Sequence, residues 1–295
     1  MKKKQLMEYE WMVEYTPQTE WIQGQGVFLW LAFFFSELGA GIYLVSIMVD
    51  FKMGWLVGWL VSVVLGGLIH LGFLGHPMRS WRILRKPFTS ELSRGFWIIT
   101  LFVIIGFFQV APIVFYGFPW TGDGIILKTI MGALCILIII HGFMTMYVVR
   151  ALPLWNSSVI IPLSLVSGIW IGSQATELML YAAGHNLNVI EIWSRWSLLT
   201  YMALLLLYLW GTFHSSDNAK ESIKETLAGD SALRFYVWIL TIGLILPLAI
   251  TVFIWHYDVS NVSGILLLAR FLFVLTGDLM MRRIIMEKAI YNPII

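Results

Sequence analysis

One carboxylate, Glu37, and one guanidinium, Arg270, are expected at mid-membrane depth inside long apolar stretches of this chain. A cationic turn, His76-Pro77-Met78-Arg79-Ser80-Trp81-Arg82, follows another apolar stretch, which carries His70. In hydrocarbon a charged side chain costs about 3 kcal/mol even on lenient insertion scales, so such groups mark pairing or function. Histidine suits proton exchange because it donates and accepts near neutral pH. The candidates for proton transfer are therefore His70, His76 and Glu37. Arg79 and Arg82 are candidates to hold a polar head group or an acidic partner, and Trp81 to form an apolar wall.

The elements that must position these groups are membrane helices. The 295 residues are 59% apolar and only 12% charged, against roughly 25% charged in soluble domains. Eight apolar segments are long enough to cross a bilayer as helices: 27–49, 54–75, 96–118, 126–149, 159–182, 196–213, 235–256 and 264–281. The expected fold is all-α, with eight transmembrane helices in two four-helix groups. The expected divisions are an N-terminal segment 1–26, helices one to four over 27–149, helices five to eight over 150–281, and a C-terminal tail 282–295. Fifteen Lys and Arg fall on the side of both termini and three on the other, which predicts cytoplasmic termini. Lys2, Lys3 and Lys4 precede the first apolar run by too far for a signal peptide, so that run is expected to be retained. The single cysteine, Cys135, excludes a disulfide framework or an all-cysteine metal or iron–sulfur site within this chain. A net charge of +2, without a basic-aromatic surface, gives no indication of nucleic acid.

Between Pro77 and Pro87 the cations Arg79, Arg82, and Arg85 or Lys86 recur at three-to-four spacing, which predicts a short amphipathic interfacial helix. Thr89 or Ser90 would cap the third span, and Asp217 or Asn218 a short helix ended by Gly229. Helical rise places Glu37 about 16 Å and Arg270 about 18 Å from the same surface. Equal depth allows an ion pair between them, or leaves Glu37 on a proton path. Asp278 and Arg282 are spaced for an intrahelical salt bridge, and Glu177, near the other surface, is expected to face water. Gly39 with Gly41, Gly54 with Gly58, and Gly168 with Gly172 would allow close helix approach. Trp21, Trp30, Trp55, Trp120, Trp155, Trp193 and Trp196 are expected in an interfacial belt.

The stretch His70-Leu71-Gly72-Phe73-Leu74-Gly75-His76-Pro77-Met78-Arg79-Ser80-Trp81, followed by Thr89-Ser90-Glu91-Leu92-Ser93-Arg94-Gly95, resembles a motif region of the NrfD/DmsC/PsrC-type membrane anchors of polysulfide and dimethyl sulfoxide reductases. Leu152-Pro153-Leu154-Trp155 and Gly277-Asp278-Leu279-Met280-Met281-Arg282 are similar to two further motifs of that family. The resemblance implies a quinone-reactive subunit in a prokaryotic cell membrane, binding menaquinone or a related quinone, without haem, iron–sulfur cluster or metal on this chain. It implies a ferredoxin-like partner subunit with 4Fe-4S clusters and a catalytic subunit with a molybdenum bis-pterin cofactor. On this reading His70, His76, Arg79, Trp81 and Arg82 meet the quinone. Arg79, Arg82, Arg85, Lys86 and Arg94 dock the partner, and Arg270, Asp278 and Arg282 are structural or on a proton path. Phe73 stands where some members have the motif histidine, so the choice between His70 and His76 stays open.

Two rivals remain. His70 and His141 lie at similar depth on different spans, as two axial ligands of a haem b would. A small-solute transporter would favour repeats and helices broken at mid-membrane; Pro112, Pro162 and Pro247 are the few prolines within spans, and no repeat relates the two halves.

Overall fold

Peptide groups surrounded by hydrocarbon find partners only within their own helix, so an apolar run has to coil. The computed structural model describes residues 18–74, 77–257, 259 and 262–291, and among them are helices and no strand. In chain order they are α1 (Gly26–Met48), α2 (Lys52–Phe73), α3 (Glu91–Val114), α4 (Ile125–Tyr147), α5 (Ile160–Ala182), α6 (Asn188–Phe213), α7 (Asp217–Leu227), α8 (Ala232–Tyr257) and α9 (Gly264–Glu287). Seven of these are long and apolar enough to cross a membrane; α5 and α7 are not among them. The reason for α5 is visible in its residues. Ser164, Ser167, Ser173, Gln174, Thr176 and Glu177 are all buried on it, because α1, α4, α6 and α9 pack around it.

Local chemistry sets the ends. Ser90, Ser216 and Ser263 each accept a bond from the backbone N–H three residues on, starting α3, α7 and α9. Ser216, rather than Asp217 or Asn218, thus caps the short helix. The stretch Pro77–Arg85 is a 3₁₀ helix instead of an α-helix. Two wide π stretches interrupt α2 (Val61–Gly67) and α8 (Phe235–Ile245). The second ends just before Pro247, which has no N–H to give to the preceding turn. Three helices outrun their apolar segments: α3 begins at Glu91, α6 at Asn188, and α9 continues to Glu287. Hydropathy stops at the first charged residue, whereas a helix continues while its charges find partners. The expected tail 282–295 therefore begins inside α9, with Arg282 buried.

Glycines fix the central packing. A Cβ on Gly41 would lie 2.2 Å from the carbonyl oxygen of Gly168, and one on Gly172 2.3 Å from Gly41, so α1 and α5 meet backbone to backbone. Gly39 and Gly58 make a similar contact between α1 and α2. The aromatic belt is only partly realised. Trp120, Trp193 and Trp196 are exposed, but Trp30, Trp55 and Trp155 are buried. The Trp155 indole donates to Ile285 O at 2.7 Å and meets Trp21 edge-on at 5.0 Å, joining the α4–α5 connection to the end of α9.

Gly172→Val should force α1 from α5 and cost about 1–3 kcal/mol or more through overpacking. Gly211→Ala, with open space around it, should be neutral or stabilising. Thermal unfolding in detergent distinguishes the two.

Candidate functional site

Two groups of polar side chains pack against α1. The first is ionic. Arg282, on the last turns of α9, reaches Glu37 with both terminal nitrogens and Asp278 Oδ2 with Nε at 2.5 Å. Ser167 on α5 donates to Asp278 and accepts from Arg282 Nη2 at 3.2 Å. The guanidinium lies 5.0 Å from the Phe143 ring centroid, and Tyr201 on α6 feels the charges of Asp278, Arg282 and Glu37. All of these polar groups are buried. A planar guanidinium with five donors is the side chain suited to grip one carboxylate with two bonds and a second with a third.

The second buried pair is Arg270 with Glu177, and Arg270 Nη1 also reaches Thr251 Oγ1 at 3.4 Å. Glu177 is fully buried between α5 and α9 and does not face water. The expected pair between Glu37 and Arg270 does not form. Because α9 runs on to Glu287, Arg282 rather than Arg270 reaches Glu37, while Arg270 lies about 9 Å by helical rise from the Gly264 end. The intrahelical bridge between Asp278 and Arg282 is present, extended by Glu37 into a three-residue cluster.

A separate group holds imidazoles. His70 from α2 and His141 from α4 both meet the edge of Phe33 on α1, with ring centroids 5.9 and 6.5 Å away. They border a small space closed by Ser36, Gly95, Ile98, Ile99, Ile138 and Gly142, so each of α1 to α4 supplies a wall. Its volume of about 10 Å³ is room for about one water. A Cβ on Gly95 would lie 1.8 Å from His141 Nε2, so only glycine lets α3 pass over that ring. His70 is the partly exposed member and His141 the buried one.

The arginine turn lies apart from this space. Arg79, Arg82, Arg85 and Lys86 are exposed, and so is Trp81, which does not line the histidine compartment as a wall. Arg85 and Arg82 stand over the Trp81 ring at 4.3 and 5.8 Å. The 3₁₀ turn is tied to α3 by Trp97 Nε1 to Leu84 O at 3.2 Å and by Ser93 to Ile83 O. Arg94 bonds Glu91 and the carbonyls of Pro87 and Phe88, so part of its donor set closes the local loop. His76 lies outside the described residues.

Sequence reasoning placed His141 only as a haem ligand and left out Glu177, Ser167 and Tyr201. A signal for the α5 residues existed: Ser167, Gln174 and Glu177 recur at seven and three residues, one helix face. No family model matches this chain, and no curated protein matches it.

Removing one partner of a buried pair strands the other. Arg270→Leu should cost about 3–5 kcal/mol, and the double change with Glu177→Leu should recover most of it. Unfolding temperatures of the single and double variants check the coupling; additive losses would contradict a pair.

Proposed function

We propose that the chain crosses the membrane eight times, α5 included, and works as the quinone-reactive anchor of a multisubunit oxidoreductase. On this reading α5 is a span whose polar residues are tolerated because neighbouring helices shield them. The eight spans form two four-helix halves, α1 to α4 and α5, α6, α8 and α9, joined where α1 meets α5. The basic loops favour both ends of the chain lying in the cytoplasm, and the family resemblance favours a prokaryotic cell.

One observation carries the reading. Two imidazoles from different helices border a water-sized space enclosed by α1 to α4, and one of them, His70, is close in sequence to an exposed arginine turn. A bound quinone would supply two-electron chemistry and needs protons delivered to or taken from its oxygens. The enclosed space is too small for its ring, so the head group would lie at the open flank of His70. His141 would stand behind it as a second proton carrier, reached through one water. His76 stays a candidate beside them. Arg79, Arg82, Arg85 and Lys86 point outward, which favours contact with a partner subunit bearing iron–sulfur clusters over contact with the head group. The molybdenum bis-pterin chemistry would belong to a further chain. The haem alternative is less well supported by the geometry, because Gly95 packs directly against His141 and leaves the ring no open face on that side.

Binding of a menaquinone analogue to the purified full chain tests this. His70→Ala and His141→Ala should each weaken binding by about tenfold or more, and Gly95→Ala should imitate His141→Ala by displacing the ring. Failure of the wild-type chain to bind or be competed by any quinone analogue would sink the reading. Arg79→Ala combined with Arg82→Ala should leave analogue binding intact and reduce co-purification with the iron–sulfur subunit. The reverse pattern would assign these arginines to the head group.

A further inference from the structure

We propose that the Glu37–Arg282–Asp278 cluster is a proton-binding site, in which a single exchangeable proton is shared between the two carboxyl groups. The argument is charge balance. Two carboxyls face one guanidinium, and among the described residues the other groups packed on them supply no second cation. Ser167 comes from α5, Tyr201 from α6 and the Phe143 ring from α4. Arg283, next along α9, is turned toward the Trp30 ring at 5.7 Å and Glu287 at 3.7 Å. Arg270 is committed to Glu177, and His141 is turned to Phe33 and the small space it shares with His70. Two ionised carboxylates would thus leave an uncompensated negative charge in the middle of the bundle, which burial penalises heavily. One shared proton removes it, as in paired carboxyls that cannot both ionise.

The surroundings give that proton a route. Ser167, Trp170, Gln174 and Glu177 follow one another along one face of α5, opposite Ser194 and Tyr201 of α6. Trp170 lies on Tyr201 with ring centroids 5.0 Å apart, and Gln174 donates to Ser194. Trp170 Nε1 and Glu177 Oε1 are buried without a hydrogen-bond partner among the described residues, so each can bond a passing water. At the end of the file Glu177 feels the charge of Glu191, which pairs with Arg195 at a surface cleft of about 360 Å³ beside Asn188 and Trp255. The file therefore joins the cluster to a water-accessible mouth near the start of α6. Only O–H bonds of carboxyl groups and water are made and broken along it, the Trp170 and Gln174 N–H groups serving to orient the water, and water at the mouth is the donor or acceptor. The inference is independent of the quinone reading, since it needs no quinone to be bound.

Infrared spectroscopy of the full chain in lipid vesicles tests it. Wild type should show the carbonyl stretch of a protonated carboxyl that shifts on transfer to D₂O. Glu37→Gln and Asp278→Asn should each abolish that band, because the remaining carboxylate then balances Arg282 alone, and Glu221→Gln on the exposed face of α7 should keep it. Gln174→Leu should retain the band and slow its deuterium shift by about tenfold or more. A wild type without the band, or a band surviving both Glu37→Gln and Asp278→Asn, overturns the site. An unchanged exchange rate in Gln174→Leu overturns the route. If Glu37→Gln or Asp278→Asn does not fold, the wild-type band and the Gln174→Leu exchange rate still decide.

Discussion

Burial of charge is the constraint from which the rest of this structure follows. Arg282 cannot be left alone among apolar helices, and its guanidinium is satisfied only where α1, α5 and α9 bring Glu37, Ser167 and Asp278 to it together. The cluster therefore specifies the mutual rotation and height of three helices. Apolar packing alone is less selective, because lipid tails solvate a leucine as well as another helix does. A shift of α9 by one turn would carry Arg282 and Asp278 away together, break their contacts with Glu37 and Ser167, and strand the buried Glu37 carboxyl.

Backbone contact makes that arrangement reachable. Gly41, Gly168 and Gly172 let α1 and α5 approach backbone to backbone, so that Glu37 on α1 and Ser167 on α5 both reach Arg282 on α9. The same helix α1 presents Phe33 and Ser36 to the histidine compartment and Glu37 to the ionic cluster. One helix thus contributes side chains to both polar environments. Gly95 plays a comparable part for the imidazoles, since any larger residue would push α3 off His141.

Most spans were legible as apolar runs, the bridge from Asp278 to Arg282 could be read from spacing alone, and the cap of α3 could be narrowed to Thr89 or Ser90, of which Ser90 makes the bond. The helix ends were less legible. Hydropathy ends α9 before Arg282, although that residue lies inside the helix and is among its most buried polar groups. Glu177 was misjudged for the same reason: being near a span's end suggested water, and its burial depends on α9 covering it. Trp155 looked interfacial by position, yet its indole is enclosed by the end of α9.

The sequence by itself determined that this is a helical chain built for a lipid environment, where its cations collect, and which few ionisable groups must be explained. Its hydrophobic periods and loop charges are local properties, and local properties survive without knowing what packs on what. Only the tertiary structure decided that Glu37 belongs to Arg282, Arg270 to Glu177, and His70 beside His141. Depth along a helix can be counted from the sequence, but which face meets which neighbour cannot, because rotation about each axis is fixed by glycine contacts and pairings far apart in the chain.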